Sequence, residues 1–159
     1  MGANVDVGQT EGNFEEAVGL LWGEKSIHAK IGNAMDAHDV LLKGLPADAL
    51  LHLVSTVTFL REGDTLQNAI GLSLRTLQRH KARPVSQLLS VEQSNRTWRF
   101  AEIFAHAADV MGSDAAAESW MNKPAIGLDN RKPVDLLATS AGVEAVEEYL
   151  TRLEYGVYA

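Results

Sequence analysis

The sequence contains no cysteine, which excludes disulfide bonds, thiolate metal sites and thiol nucleophiles. A chain without cysteine suits a reducing compartment, and we expect a cytoplasmic protein. Long hydrophobic runs are missing too: runs such as Leu136-Leu137-Ala138 are far shorter than the roughly 20 residues of a membrane-spanning helix, so we expect no membrane partner. Because no basic region precedes a hydrophobic segment at the start, residues 1–12 are expected to form a disordered lead-in and not a secretion signal.

Strict alternation of apolar and polar residues is also scarce, whereas apolar residues recur at helical spacing and alanine is abundant. We therefore expect an all-α fold. At 159 residues the chain forms one large domain or two small ones and can remove roughly two-thirds of its unfolded surface from water. Glycine, proline and capping residues predict where the helices begin and end. A loop is expected at 125–132, followed by a helical turn from Pro133 to Leu137. The predicted helices are Glu15–Trp22, Ala34–Lys43, Pro46 to about Leu60, a short helix on each side of Gly71, Ser90 to Met111, Asp114 to Met121, and Ser140 to about Leu153.

Positive charge is scarce, with 14 Lys and Arg against 21 Asp and Glu and a net charge of −7. It is nevertheless concentrated in residues 72–99, which hold six cations and one carboxylate, while both flanking parts are acidic. A positive face on a negative molecule predicts one surface for a polyanion and other surfaces for a different partner. The six cations are Arg75, Arg79, Lys81, Arg83, Arg96 and Arg99.

Two short helices joined at Gly71 form a helix-turn-helix pattern, in which Ser73 caps the second helix. Side chains of that helix advance by about 100° per residue, so Leu74 and Leu77 share the side opposite the arginines. On DNA the polar side would contact bases and phosphates, since arginine pairs with guanine and glutamine with adenine. A solvated surface helix would carry similar residues, so periodicity and charge leave both interpretations open. The predicted DNA-binding residues are Ser73, Arg75, Thr76, Gln78, Arg79, Lys81 and Arg83.

The predicted helix from Ser90 to Met111 begins with the capping-box spacing Ser90-Val91-Glu92-Gln93. It is apolar around most of its circumference, which indicates burial in the core or against a second subunit. A homodimer would help DNA binding, because a chain of net charge −7 is repelled by nucleic acid unless several positive patches are combined. A symmetric dimer would present two recognition helices to half-sites about one DNA turn apart. The sequence alone leaves the choice between core and dimer interface open.

Several motifs in a fixed order make this chain similar to Xre/ParS-type antitoxins, which are paired with RES-domain toxins. The resemblance covers the chain from about Leu45 to the last residues. The motifs are Gly71-Leu72-Ser73-Leu74-Arg75-Thr76-Leu77-Gln78-Arg79, Leu89-Ser90, Trp120-Met121-Asn122-Lys123-Pro124, Asn130-Arg131-Lys132-Pro133-Val134-Asp135-Leu136-Leu137 and Glu154-Tyr155-Gly156-Val157-Tyr158.

The resemblance implies an antitoxin with an Xre-like helix-turn-helix domain at 13–90 and a dimerisation and toxin-binding domain at 91–159. It would act as a homodimer within a larger toxin–antitoxin complex, bind operator DNA to regulate its own operon, and block the active site of a RES toxin with its C-terminal tail. Such toxins consume NAD or use it for ADP-ribosylation, so NAD would belong to the partner and this chain would need no cofactor. The implied toxin-binding residues are Arg131, Lys132, Glu154, Tyr155, Gly156, Val157, Tyr158 and Ala159.

The chain departs from the family after Leu89-Ser90, where an acidic Glu-Ser-Asp-Arg run is usual and residues 93–96 read Gln-Ser-Asn-Arg. The tail has independent support, because Tyr155 and Tyr158 combine large apolar faces with hydroxyl groups and Gly156 permits close backbone approach. A frayed terminus with tyrosines packed on their own helix is the alternative. For the whole chain, the alternative function is a stand-alone transcription regulator whose C-terminal part dimerises or senses a ligand.

No enzymatic motif is present. The five histidines lack metal-ligand spacing, and the sequence contains no His-Glu-x-x-His, no Gly-x-Ser-x-Gly and no phosphate-binding glycine loop. The carboxylates are dispersed over the predicted helices, as on a solvated face. We therefore expect no enzyme and no metal site.

Overall fold

The computed structural model describes residues 7–23, 31–85 and 87–156. Within these ranges it contains eight α-helices, three short 3-10 helices and no β-strand, which confirms the predicted all-α class. None of the described helices is both long and apolar enough to cross a membrane. The α-helices are α1 Val7–Trp22, α2 Ala34–Lys43, α3 Ala47–Thr56, α4 Thr65–Ile70, α5 Leu74–Lys81, α6 Val91–Met111, α7 Asp114–Met121 and α8 Ser140–Glu154, and the 3-10 helices are Thr58–Arg61, Ile126–Leu128 and Pro133–Leu136.

Helix α6 is the centre on which the other elements pack. Its start is fixed by a capping box, in which the Ser90 hydroxyl accepts from the Gln93 amide and the Gln93 side chain accepts from the Ser90 amide, each at 3.1 Å. Helices α1, α2, α4, α7 and α8 all contact α6. Phe100 and Phe104 are fully buried and stack at 6.2 Å between ring centroids. Most of its apolar circumference is therefore covered within the chain, so α6 is a core helix, while Val91 at its start is 51% exposed and Val110 and Met111 at its end are half-buried.

A buried polar contact attaches the loop between α2 and α3 to α6. The Leu45 amide donates to the Ser94 hydroxyl at 2.8 Å, and neither residue is exposed to solvent. The Leu89 amide in turn donates to the Leu45 carbonyl at 2.8 Å. Gly44 has a φ of +95° and lies so close to the Leu89 carbonyl that a β-carbon would clash with it. These contacts satisfy buried backbone groups and fix the N-terminal helices relative to α6.

Several predicted boundaries need correction. Helix α1 begins at Val7, so residues 7–12 are helical and do not belong to a disordered lead-in. Further along α1, Ala17 and Leu21 are fully buried in the core and α1 lies against α6, so the helix extends from this packed part towards the N-terminus. The helix predicted from Pro46 to Leu60 ends at Thr56 and resumes as a 3-10 turn after Val57, whose ψ of 83° is not helical. Ser113 and Thr139 cap α7 and α8, one residue before Asp114 and Ser140, which the sequence predicts as the caps.

Glu102 gives the fold a pH dependence that can be measured. Burial raises the pKa of its carboxyl; Arg99 lowers it, Glu147 on α8 raises it, and the Trp98 indole lowers it, with a net upward shift from 4.5. The folded protein therefore holds this proton more tightly than the unfolded chain does. This contribution to stability is present below pH 4.5 and is lost as the pH rises through the higher pKa of the folded state.

We predict that Glu102→Gln raises the Tm at about pH 7, because it removes a half-buried negative charge, and that the gain disappears below about pH 4, where the carboxyl is protonated. Differential scanning calorimetry across this range measures both effects. Glu144→Gln, at an exposed position of α8, is the matched control. A gain at Glu102 that does not change with pH would contradict the interpretation.

Candidate functional site

The basic helix α5 follows α4 through a turn that requires glycine. Gly71 has a φ of +84°, a left-handed conformation that other residues rarely adopt. Ser73 then caps α5 by accepting a hydrogen bond from the Thr76 amide at 3.1 Å. Leu77 is fully buried, and α5 packs on α3. The predicted helix-turn-helix is present, with α5 in the position of the recognition helix.

The structure separates the predicted DNA-binding residues into two groups. Ser73 and Thr76 are partly buried and hydrogen-bonded to each other through their hydroxyls at 2.9 Å, so their first role is to cap the helix. The remaining residues are exposed. Of these, Arg75, Gln78 and Arg79 stand at positions i, i+3 and i+4 of α5 and share the face opposite Leu77. No ion pair or side-chain hydrogen bond engages the cations of this group among the described residues. The exposed group is Arg75, Gln78, Arg79, Lys81 and Arg83.

The start of α6 holds the turn in place, a contact that the sequence analysis missed. The side-chain amide of Gln93 donates through Nε2 to the Gly71 carbonyl at 3.3 Å. The Arg96 guanidinium lies over Gly71, 3.1 Å from the position that a β-carbon would take, and pairs with Glu92 at 3.0 Å. Arg96 thus belongs to the basic stretch but is paired, unlike the cations of α5. The capping pattern of Gln93 was visible in the sequence; its second contact, 22 residues away, was not.

The two predicted toxin-binding cations occupy different environments. Arg131 is exposed, whereas Lys132 is half-buried and donates to the Asn122 side chain at 3.4 Å. Asn122 in turn donates to Glu62 at 3.5 Å. Lys132 therefore belongs to a polar link between the C-terminal segment and the loop before α4. The 3-10 helix that follows it, Pro133–Leu136, packs directly on α4.

The last turn of α8 is held on α6 by a side-chain contact of Glu154, the first residue of the predicted tail. Glu154 Oε2 lies 3.0 Å from His106 Nε2 on α6, and both side chains are largely buried, at 16% and 18% exposure. In this structure the Glu154 carboxylate is thus engaged by His106, and its role in toxin binding stays a prediction. Tyr155 is 62% exposed, and Gly156 turns the backbone with a φ of +66°. The predicted toxin-binding residues Val157, Tyr158 and Ala159 lie outside the described residues.

A cavity of about 750 Å³ lies between α1, α3, α6 and α7. Three carboxylates line it, and the pKa of Glu16 is raised by burial and by the neighbouring Asp109 and Asp114. Such a lining repels anions. Among the described residues no cluster of three or more His, Asp or Glu side chains is arranged to hold a metal ion.

Comparison with known proteins agrees with this arrangement. Residues 36–102 match the antitoxin Xre-like helix-turn-helix domain, and residues 106–156 match the antitoxin Xre/MbcA/ParS C-terminal toxin-binding domain. An antitoxin Xre from Yersinia enterocolitica serotype O:8 / biotype 1B is 30% identical over 142 residues, which cover 87% of this chain and 90% of that protein. This chain belongs to the Xre antitoxin family. Its members are regulatory, toxin-binding proteins and are not enzymes.

Two further relatives are also antitoxins Xre. The protein from Photorhabdus laumondii subsp. laumondii is 28% identical over 138 residues, covering 86% of this antitoxin and 89% of the relative. The protein from Pseudomonas putida is 35% identical over 85 residues, covering 54% and 52%. With a helix-turn-helix domain and a toxin-binding domain, the antitoxin has two kinds of partner, DNA and a toxin. The two matches meet inside α6, at residues 102–106. The division of the chain at residue 90 stays a prediction.

The contact between His106 and Glu154 predicts how the end of α8 behaves. We expect His106→Ala to speed amide hydrogen exchange at residues 153–156, because it removes the side-chain contact that holds the last turn of α8 on α6. Hydrogen exchange followed by mass spectrometry measures this. His38→Ala, at an exposed position of α2, serves as the control. Unchanged exchange in this turn would show that the pair does not hold it.

Proposed function

We propose that this antitoxin neutralises a RES-domain toxin by placing its C-terminal tail in the toxin's active site. The observation that carries the proposal is the end of α8, where a fixed residue is followed at once by an exposed aromatic one. Glu154 is held against α6 by His106, and Tyr155 is 62% exposed. A tail that leaves a fixed helix end needs less ordering on binding than a tail attached to a loose one. The matched toxin-binding domain ends at residue 156, in the same place.

The chemistry of the tail suits the pocket expected of such a toxin. The resemblance implies a toxin that binds NAD, and a dinucleotide site must accommodate flat rings. Tyr155 offers a flat apolar face with a hydroxyl group, the character of an interface anchor. Gly156, with no side chain, lets the backbone approach the toxin closely. Because Glu154 is engaged by His106, we assign the blocking role to Tyr155 and the residues that follow it.

Removing residues 155–159 while keeping Glu154 tests this proposal. We expect toxin activity to return, seen as loss of cellular NAD on co-expression, because the active site is no longer covered. The Tm should stay near that of the full chain, since Tyr155 and Gly156 are exposed. A chain whose last five residues are replaced by glycine and serine is the control for length. Full neutralisation by either variant would contradict blocking by the tail.

We also propose that α5 binds the operator of the antitoxin's own operon and that two copies act together. The support is the exposed group of α5, whose arginine and glutamine side chains can bond to base edges in the major groove. The net charge of −7 opposes approach to DNA, and a homodimer would double the positive surface without a second basic segment. Since most of α6 is buried within the chain, we place the dimer contact mainly on another surface.

For DNA, we predict that Arg75→Ala with Arg79→Ala weakens operator binding by about 1–3 kcal/mol for each bidentate base contact removed. Both side chains are exposed, so the Tm should not change. Fluorescence anisotropy on a fragment of the antitoxin's own promoter, at physiological salt, measures the affinity. Arg152→Ala is the matched control, because it removes an exposed arginine of α8 that pairs with Glu148. Equal affinity of the double variant and the wild type would exclude α5 as the recognition helix.

A further inference from the structure

The turn that follows α7 is closed by its own backbone. The Ala125 carbonyl accepts from the amides of Leu128 at 3.0 Å and Asn130 at 2.9 Å. The Ala125 amide donates to the Arg131 carbonyl at 3.0 Å, which closes the turn at its base. Two consecutive residues, Asp129 and Asn130, adopt left-handed φ angles of 55° and 60°. Asp and Asn adopt this conformation more readily than other residues with a side chain, so the turn is fixed chiefly by its three backbone hydrogen bonds.

The turn is also held flat against aromatic side chains of its own domain. A β-carbon on Gly127 would overlap the Tyr149 ring, so the glycine backbone lies directly on that ring. Tyr149 stacks on Trp120 with 6.1 Å between ring centroids and 11° between planes. Leu128, the third residue of the 3-10 helix, is buried in the core. The turn is thus supported from below by α7 and α8.

On this rigid support the Ile126 side chain points away from the protein. It is 88% exposed, more than any other large hydrophobic side chain described in the structure. Single exposed apolar residues are common on protein surfaces and usually need no explanation. Ile126 differs because backbone hydrogen bonds, a glycine and an aromatic pair all fix its position. An apolar side chain held out in this way loses little conformational freedom on binding, which favours an interface anchor.

We propose that the turn 125–131 is an anchor by which the antitoxin docks onto its toxin, with Ile126 inserted into an apolar pocket of that protein. The turn lies within residues 106–156, the part that matches the toxin-binding domain. Arg131 at its base is exposed, so the partner pocket should carry a carboxylate at its rim. The inference rests on the proposed function only for the identity of the partner, because docking through this turn does not require the tail to enter the active site.

The test uses the full antitoxin and the protein encoded by the adjacent reading frame, with binding and inhibition measured separately. We expect Ile126→Ala to weaken the Kd by about 10- to 100-fold, the range for burying one such side chain. Ile126→Asp should abolish capture, and Ile126→Val should retain most of the affinity. Met35→Asp is the matched control, because Met35 is 68% exposed on α2, outside the toxin-binding domain. All four variants should keep the wild-type Tm and operator affinity.

The outcomes separate the anchor from the tail. Wild-type affinity of Ile126→Asp would overturn the anchor, as would an equal loss in Met35→Asp. If Ile126→Asp changes the oligomeric state of the free antitoxin, measured as its mass in solution, but does not weaken toxin binding, the turn forms a contact between two copies. That result would also overturn the anchor. A chain lacking residues 155–159 that captures toxin through Ile126 but does not inhibit it would support both proposals. If that chain inhibits fully, blocking by the tail fails while the anchor stands.

Discussion

The burial of α6 is the constraint on which the rest of the structure depends. This helix of 21 residues is apolar around most of its circumference, and such a helix is stable only when it is surrounded. Helices from both sides of it in the chain meet that need, and Phe100 and Phe104 form the centre of the core. Because the helix-turn-helix match and the toxin-binding match meet inside α6, one buried helix supports both surfaces.

The functional side chains are consequently placed by contacts to α6 or to elements packed on it. Gln93, at its start, holds the turn before α5 through the Gly71 carbonyl. His106, in its later part, holds Glu154 at the end of α8. Away from α6, the hydrogen bond from the Asn122 side chain to Glu62 joins the end of α7 to the loop before α4. The region that matches the helix-turn-helix domain and the region that matches the toxin-binding domain are therefore packed against each other through α6.

The sequence predicted those features that depend on neighbouring residues. The capping box at Ser90, the glycine turn at Gly71 and the exposed face of α5 follow from local rules, and the structure confirms them. The sequence could not predict contacts between distant residues, such as those of His106 and Gln93, because pairing across the fold leaves no periodic signal. For the same reason 125–132 was predicted only as a loop, although the Gly127 backbone is fixed on an aromatic ring of α8.

The departure from the family pattern at residue 93 acquires a physical meaning in this structure. A glutamate there could accept the Ser90 amide as Gln93 does, but its carboxylate could not donate to the Gly71 carbonyl. The amide therefore adds a hydrogen bond at the turn that positions α5. Gln93 in place of glutamate also removes a negative charge near the cations of α5, and Asn95 in place of aspartate removes a second negative charge. In a chain of net charge −7, both changes favour the positive face of α5, the first through its geometry and the second through its electrostatic potential.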